Sequence, residues 1–82
     1  MITQDDLKRA NLSPQDVAEH VDDFRSLGWN ADCLKEIASC FWGDWSMPHL
    51  SDGEAMCLEQ DARAYEVYAR VMEGEEIEGV GA

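Results

Sequence analysis

Between Ser51 and Glu73 the apolar residues recur at steps of three and four: Ala55, Leu58, Ala62, Tyr65, Ala69 and Met72. That spacing lines six side chains along one stripe of an α-helix. Ser51 and Glu54 have the spacing of a capping box at its start. Gly74 stands where a left-handed residue would end it. Glu59 with Arg63, and Glu66 with Arg70, are acid-before-base pairs at i,i+4, each worth roughly 0.2–0.5 kcal/mol on an exposed face. A helix of about six turns is not stable alone, because its stripe must be covered. The rest of the chain has to supply that cover.

Three earlier segments repeat one start signature, an apolar residue followed by a capping residue. Thr3 caps the first, with Asp6 at the third helical position and Ile2 spaced to staple onto Leu7. Ser13 caps the second, Pro14 suits its first position, and Asp16 favours the positive helix end. Val17, Val21, Phe24 and Leu27 then share a face up to Gly28, while Asp16, Glu19, Asp22 and Asp23 take the other side. Asn30 caps the third, whose face is Leu34, Ile37, Ala38, Phe41 and Trp42, with Gly43 as its stop. No alternating Val/Ile/Thr run signals a strand. The prediction is an all-α bundle of four helices near 4–10, 14–27, 31–42 and 52–73, with the last as spine. The domain spans 1–73. Residues 74–82, with three glycines and three glutamates after Gly74 is included, read as an acidic, Gly-rich flexible tail.

Charge constrains the partners of this chain more than its length does. Eighty-two residues make one domain that buries about 60 % of its unfolded surface. Eighteen acidic residues against six basic ones leave a net charge of −12. Such a surface repels nucleic acid and anionic lipid, so neither direct nucleic-acid binding nor membrane association is expected. The implied partner is a basic protein surface. No window approaches the roughly 18 apolar residues of a membrane span. The opening Met-Ile-Thr-Gln-Asp-Asp is neither basic nor apolar enough for an export signal, which points to the cytoplasm.

The candidate chemistry is sparse. Cys33, Cys40 and Cys57 form an odd set, and the first two lie roughly 10 Å apart along one predicted helix. With His20 and His49 they make no zinc spacing, so no metal and no cofactor are expected. No phosphate loop, nucleophile elbow or base-oriented nucleophile is visible, and the chain reads as a non-enzyme. Ser13 to Val21 has the opening of a helix-turn-helix. Its helix runs on through Val21-Asp22-Asp23-Phe24, and Asp32 and Glu36 would face phosphates.

Two features remain. One is the acid of the second helix: Asp16, Glu19, Asp22 and Asp23. The other is the aromatic exit of the third, where Trp42 and Trp45 have the character of binding anchors. In size, charge and helical class over residues 1–73 the chain resembles small acidic phage-encoded inhibitors, the anti-CRISPR proteins and DNA mimics. The resemblance implies a non-catalytic inhibitor of a nucleic-acid-binding protein complex, acting in the host cytoplasm, and carries over no particular residue. Two other readings compete. One is a small structural or adaptor subunit docking on a larger enzyme through its Trp-rich patch. The other is a homodimer in which the long helix pairs with itself.

Overall fold

The computed structural model describes residues 1–80. Its elements are α1 (Gln4–Arg9), α2 (Pro14–Ser26), α3 (Ala31–Trp45) and α4 (Asp52–Met72). The helix starts follow from their caps. The Thr3 hydroxyl accepts the Asp6 amide at 3.1 Å while Asp6 accepts the Thr3 amide at 2.9 Å. Ser13 and Asp16 repeat this at 3.1 Å in both directions. The Asn30 side-chain oxygen Oδ1 accepts the Cys33 amide at 3.0 Å, and the Ser51 hydroxyl accepts the Glu54 amide at 3.2 Å. The Ser51 cap lacks the reciprocal arm: Glu54 meets the Ser51 hydroxyl instead of its amide.

Three helices stop at left-handed residues. Asn11 has φ 55°, Gly28 φ 78° and Gly74 φ 98°. At each stop the next amide reaches back five residues: Leu12 to Leu7, Trp29 to Phe24 and Glu75 to Arg70. Asparagine tolerates this conformation better than most residues with a Cβ. Gly43 does not behave this way, and here the expected boundary is corrected. α3 runs through Gly43 to Trp45 and is capped by Ser46, whose hydroxyl donates to the Gly43 carbonyl at 2.7 Å. A glycine ends a helix only where the chain takes up its positive φ. Here the barrier is Pro48, which disfavours helical geometry at Met47.

α3 and α4 form an antiparallel hairpin, tied near one end by Lys35–Glu73 at 3.0 Å. α1 and α2 pack on α4 as well. α4 is therefore covered from several directions, and its buried set is broader than one stripe: Ala62, Ala64, Val67, Tyr68 and Ala69. Ile2, Leu7, Val17, Val21 and Leu34 close over them, and Ile2 and Leu34 are wholly inaccessible. Burying side chains of this size is worth roughly 1.5–3 kcal/mol each. The first turns of α4 are different. Ala55 and Leu58, assigned to the stripe by spacing, are only half-buried. The molecule measures 43 × 27 × 17 Å, its long axis matching a helix of α4's length, about 30 Å, plus its flanks.

The free tail is also corrected. Ile2 donates to the Glu76 carbonyl at 2.8 Å and accepts the Glu78 amide at 2.8 Å, a single parallel β-bridge to Ile77. Ile77 packs against the core. Arg70 holds this junction together. Its guanidinium reaches Glu75 at 2.7 and 2.9 Å, Asp6 at 3.4 Å and the Met1 carbonyl at 3.1 Å. The terminal amine meets Glu75 at 3.1 Å. The hydrogen bond from Arg70 and that from the amine together lower the Glu75 carboxyl to about 2. The Gly74 stop turns the chain back toward Ile2, and residues 75–78 are docked there. Residues 81 and 82, the end of the expected tail, lie outside the described residues.

Candidate functional site

Two surfaces carry the candidate residues, and they lie on different sides of α4. α2 is laid on α4 through rings. His20 stands 5.4 Å and Phe24 5.3 Å from Tyr68, and Phe24 is 5.8 Å from Tyr65. Burial, with smaller contributions from Tyr65, Asp16 and Asp61, pushes the Tyr68 hydroxyl up to about 12, so it stays protonated. Val17 and Val21 face inward. Glu19, Asp22 and Asp23 therefore face solvent. Among the described residues, no charged side chain of α2 takes part in an ion pair. Glu19 accepts only from the Gln15 amide, at 3.2 Å. Asp16 differs from the other three. It is half-buried, and the Ser13 backbone hydrogen bond holds its carboxyl below the usual range. Its first duty is the cap.

Trp42 and Trp45 form the second surface. They meet edge to face with ring centroids 5.6 Å apart. The Trp42 indole N–H donates to Glu66, and the Arg63 guanidinium lies 5.5 Å from its ring centre. Trp42 is half-buried, and Trp45 is 43 % exposed. Arg63 also pairs with Glu59 at 3.0 Å. The companion pair expected from spacing, Glu66 with Arg70, is not made, because Glu66 serves Trp42 and Arg70 serves Glu75 and Asp6. Tyr68, five residues on from Arg63, is turned from it by roughly 140° around the helix. The acidic face of α2 and the tryptophan pair are thus not brought into one patch.

Sequence reasoning missed Met56, which is 58 % exposed. With Lys8, Arg9, Glu59, Gln60 and Arg63 it lines an open groove of about 470 Å³ between α1 and the first half of α4. The signal was present: Met56 falls off the stripe of Ala55 and Leu58, as an exposed apolar residue would. Leu27 and Met47 are exposed as well. Trp29 is half-covered by Phe24, its ring parallel at 5.3 Å. The three thiols are free, Cys33 half-buried and Cys40 and Cys57 exposed. Among the described residues no three His, Cys, Asp or Glu side chains are placed to share a metal ion, and no helix is long and apolar enough to cross a membrane. No family model, curated protein or solved structure matches the chain.

Proposed function

We propose that the protein is a non-catalytic inhibitor of the anti-CRISPR or DNA-mimic kind, active in the cytoplasm of a host cell. It binds, through α2, a basic surface that another protein uses to hold nucleic acid. The observation that carries this reading is the unpaired acid of α2. Asp22, Asp23 and Glu19 stand on a rigid helix with no internal cation to neutralise them, so their field is available to a partner. Successive carboxylates at steps of three or four are about 4.5–6 Å apart along the axis, the same order as the charge spacing along a nucleic-acid strand. Long-range attraction would set the association rate. The second reading, a subunit docking through Trp42 and Trp45, is favoured by the exposure of Trp45 and Met47.

The test begins with the immobilised protein and a host extract, followed by identification of what is retained. A nucleic-acid-binding protein that elutes as salt rises, and that added DNA or RNA displaces, is the expected outcome. Asp22→Lys with Asp23→Lys should slow association and leave the helical signal intact. Retention that ignores salt and nucleic acid, but is lost in Trp45→Ala, would leave the docking subunit standing in its place.

A further inference from the structure

The flank of α4 bounded by α1 and Trp42 carries a charge pattern that the proposed function does not use. Glu59, Arg63, Glu66 and Arg70 follow one another at steps of four, three and four, so they line one side of the helix. Their signs alternate: minus, plus, minus, plus. Read from the other end, the series has the same form with every sign exchanged. A stripe of this kind is complementary to its own reverse, which is the condition a two-fold axis imposes on an interface between identical chains.

The surroundings suit such a contact. The four side chains remain accessible, and Arg63 is the least exposed of them, at 31 %. α1, which bounds the flank, carries two acids and two bases, so it adds no net charge. Met56 on one side and Trp45 on the other supply exposed apolar surface, and Trp45 is linked to the stripe through Trp42 and Arg63. A chain of net charge −12 repels its copies over most orientations. This flank is where unlike charges face each other instead. It also turns the acid of α2, on the far side of α4, outward.

We infer that two copies of this chain associate across the α1-side flank of α4, antiparallel about a two-fold axis near Arg63 and Glu66. The central contacts place Arg63 of each copy against Glu66 of the other. Glu59 and Arg70 form the outer pair, Glu59 shared with Arg63 and Arg70 with Glu75 and Asp6 of their own chains. Trp45 and Met56 exclude water at the edges. The acid of α2 stays free, so the dimer presents it twice, and the inference stands whether or not α2 proves to bind a basic partner.

The experiment is sedimentation across a wide concentration range at physiological salt, where the Debye length is about 8 Å and the −12 repulsion is largely screened. The native chain should move from monomer to dimer as concentration rises. Arg63→Glu sets acid against acid across the axis, and Glu66→Arg sets base against base, so each variant alone should associate about tenfold more weakly or worse. Mixed together they should pair, because the acid introduced at position 63 of one faces the base introduced at position 66 of the other on one side of the axis, and the native Glu66 of the first faces the native Arg63 of the second on the other side. A folding defect cannot produce that rescue. Trp45→Ala, at an exposed position, should weaken association with the thermal midpoint unchanged. A native chain that stays monomeric, single variants that associate normally, or a mixture that fails to pair would each overturn the inference.

Discussion

On the α2 side of α4 the acidic side chains stand alone, while on the α1 side charges come in partnered sets. Glu59 has Arg63, Asp5 has Arg9 at 2.9 Å, and Arg70 has Glu75 and Asp6. The two sides draw on the same charged residue types in different proportion: α1 carries two acids and two bases, and α2 four acids and one arginine. What separates them is where the six bases went. Of these, Lys8, Arg9, Arg63 and Arg70 lie on α1 or on the α4 side that faces it, and α2 has Arg25 alone. Charge on the α1 side contributes to the fold. On α2 only Asp16 does, through its cap, while Glu19, Asp22 and Asp23 take part in no ion pair.

The largest effects should come from the core that both sides share. Leu34→Ala and Tyr68→Ala should each destabilise by about 3–5 kcal/mol in urea melts, because both are buried on α4 or against it. Leu58→Ala, in the half-buried first turns, should lose only about 1–2 kcal/mol. A loss at Leu58 equal to that at Leu34 would mean that the first turns of α4 are covered in solution.

The junction of the two termini comes next. Arg70→Met removes every contact of the guanidinium at once and should cost about 1–2 kcal/mol, since several partly exposed bonds are lost together. Ending the chain after Gly74 should lower the midpoint by several degrees, because Ile77 and both bridge bonds go with it. The junction also has a pH signature. Glu75 titrates near 4.5 in the unfolded chain and at about 2 when docked. A depressed carboxyl contributes stability above its unfolded value and loses it as pH falls toward its folded value. The difference in midpoint between the native chain and Arg70→Met should therefore be full at neutral pH and shrink from pH 4.5 downward. A difference that persists unchanged at pH 3 would place the effect of Arg70 elsewhere.

These corrections show what the sequence carries and what it hides. Four helices and their caps are legible because each cap is local: Thr3 with Asp6, Ser13 with Asp16, Asn30 with Cys33. The inward set of α2 is legible for the same reason as far as Phe24, as is the exposure of Asp22 and Asp23 that follows from it; Leu27, which spacing adds to that face, is exposed, because the helix ends there and the chain turns away at Gly28. Contacts between distant residues are not. One β-bridge between Ile2 and Ile77 leaves no period to read, and a glycine-rich acidic end looks free until Arg70 is seen to reach it. Arg70 sits four residues after Glu66, so spacing pairs them, yet both side chains find better partners outside α4. Trp42 shows the same limit. Its residue type suggests a binding anchor, but its indole is engaged with Glu66 and Arg63, and Trp45 and Met56 are left as the open apolar surface.

The smallest effect bears most directly on the comparison, because its sign should differ between the two sides. Glu59 has a partner at 3.0 Å, so Glu59→Gln removes an attraction and should cost a few tenths of a kcal/mol. Asp22 and Asp23 have none. Asp23 also lies in the last turn of α2, where the negative end of the helix dipole disfavours an anion. Asp22→Asn with Asp23→Asn should therefore stabilise the fold, by about 0.3–1 kcal/mol at low ionic strength, and by less as salt screens the repulsion. Melts of both variants at two salt concentrations would read the two signs. If the α2 variant is stabilised, its acid is kept at some expense to the fold, as a surface held for a partner would be. If it is destabilised, Asp22 or Asp23 supports the helix in a way that no ion pair or hydrogen bond of its side chain accounts for, and the division between the two sides fails at its simplest point.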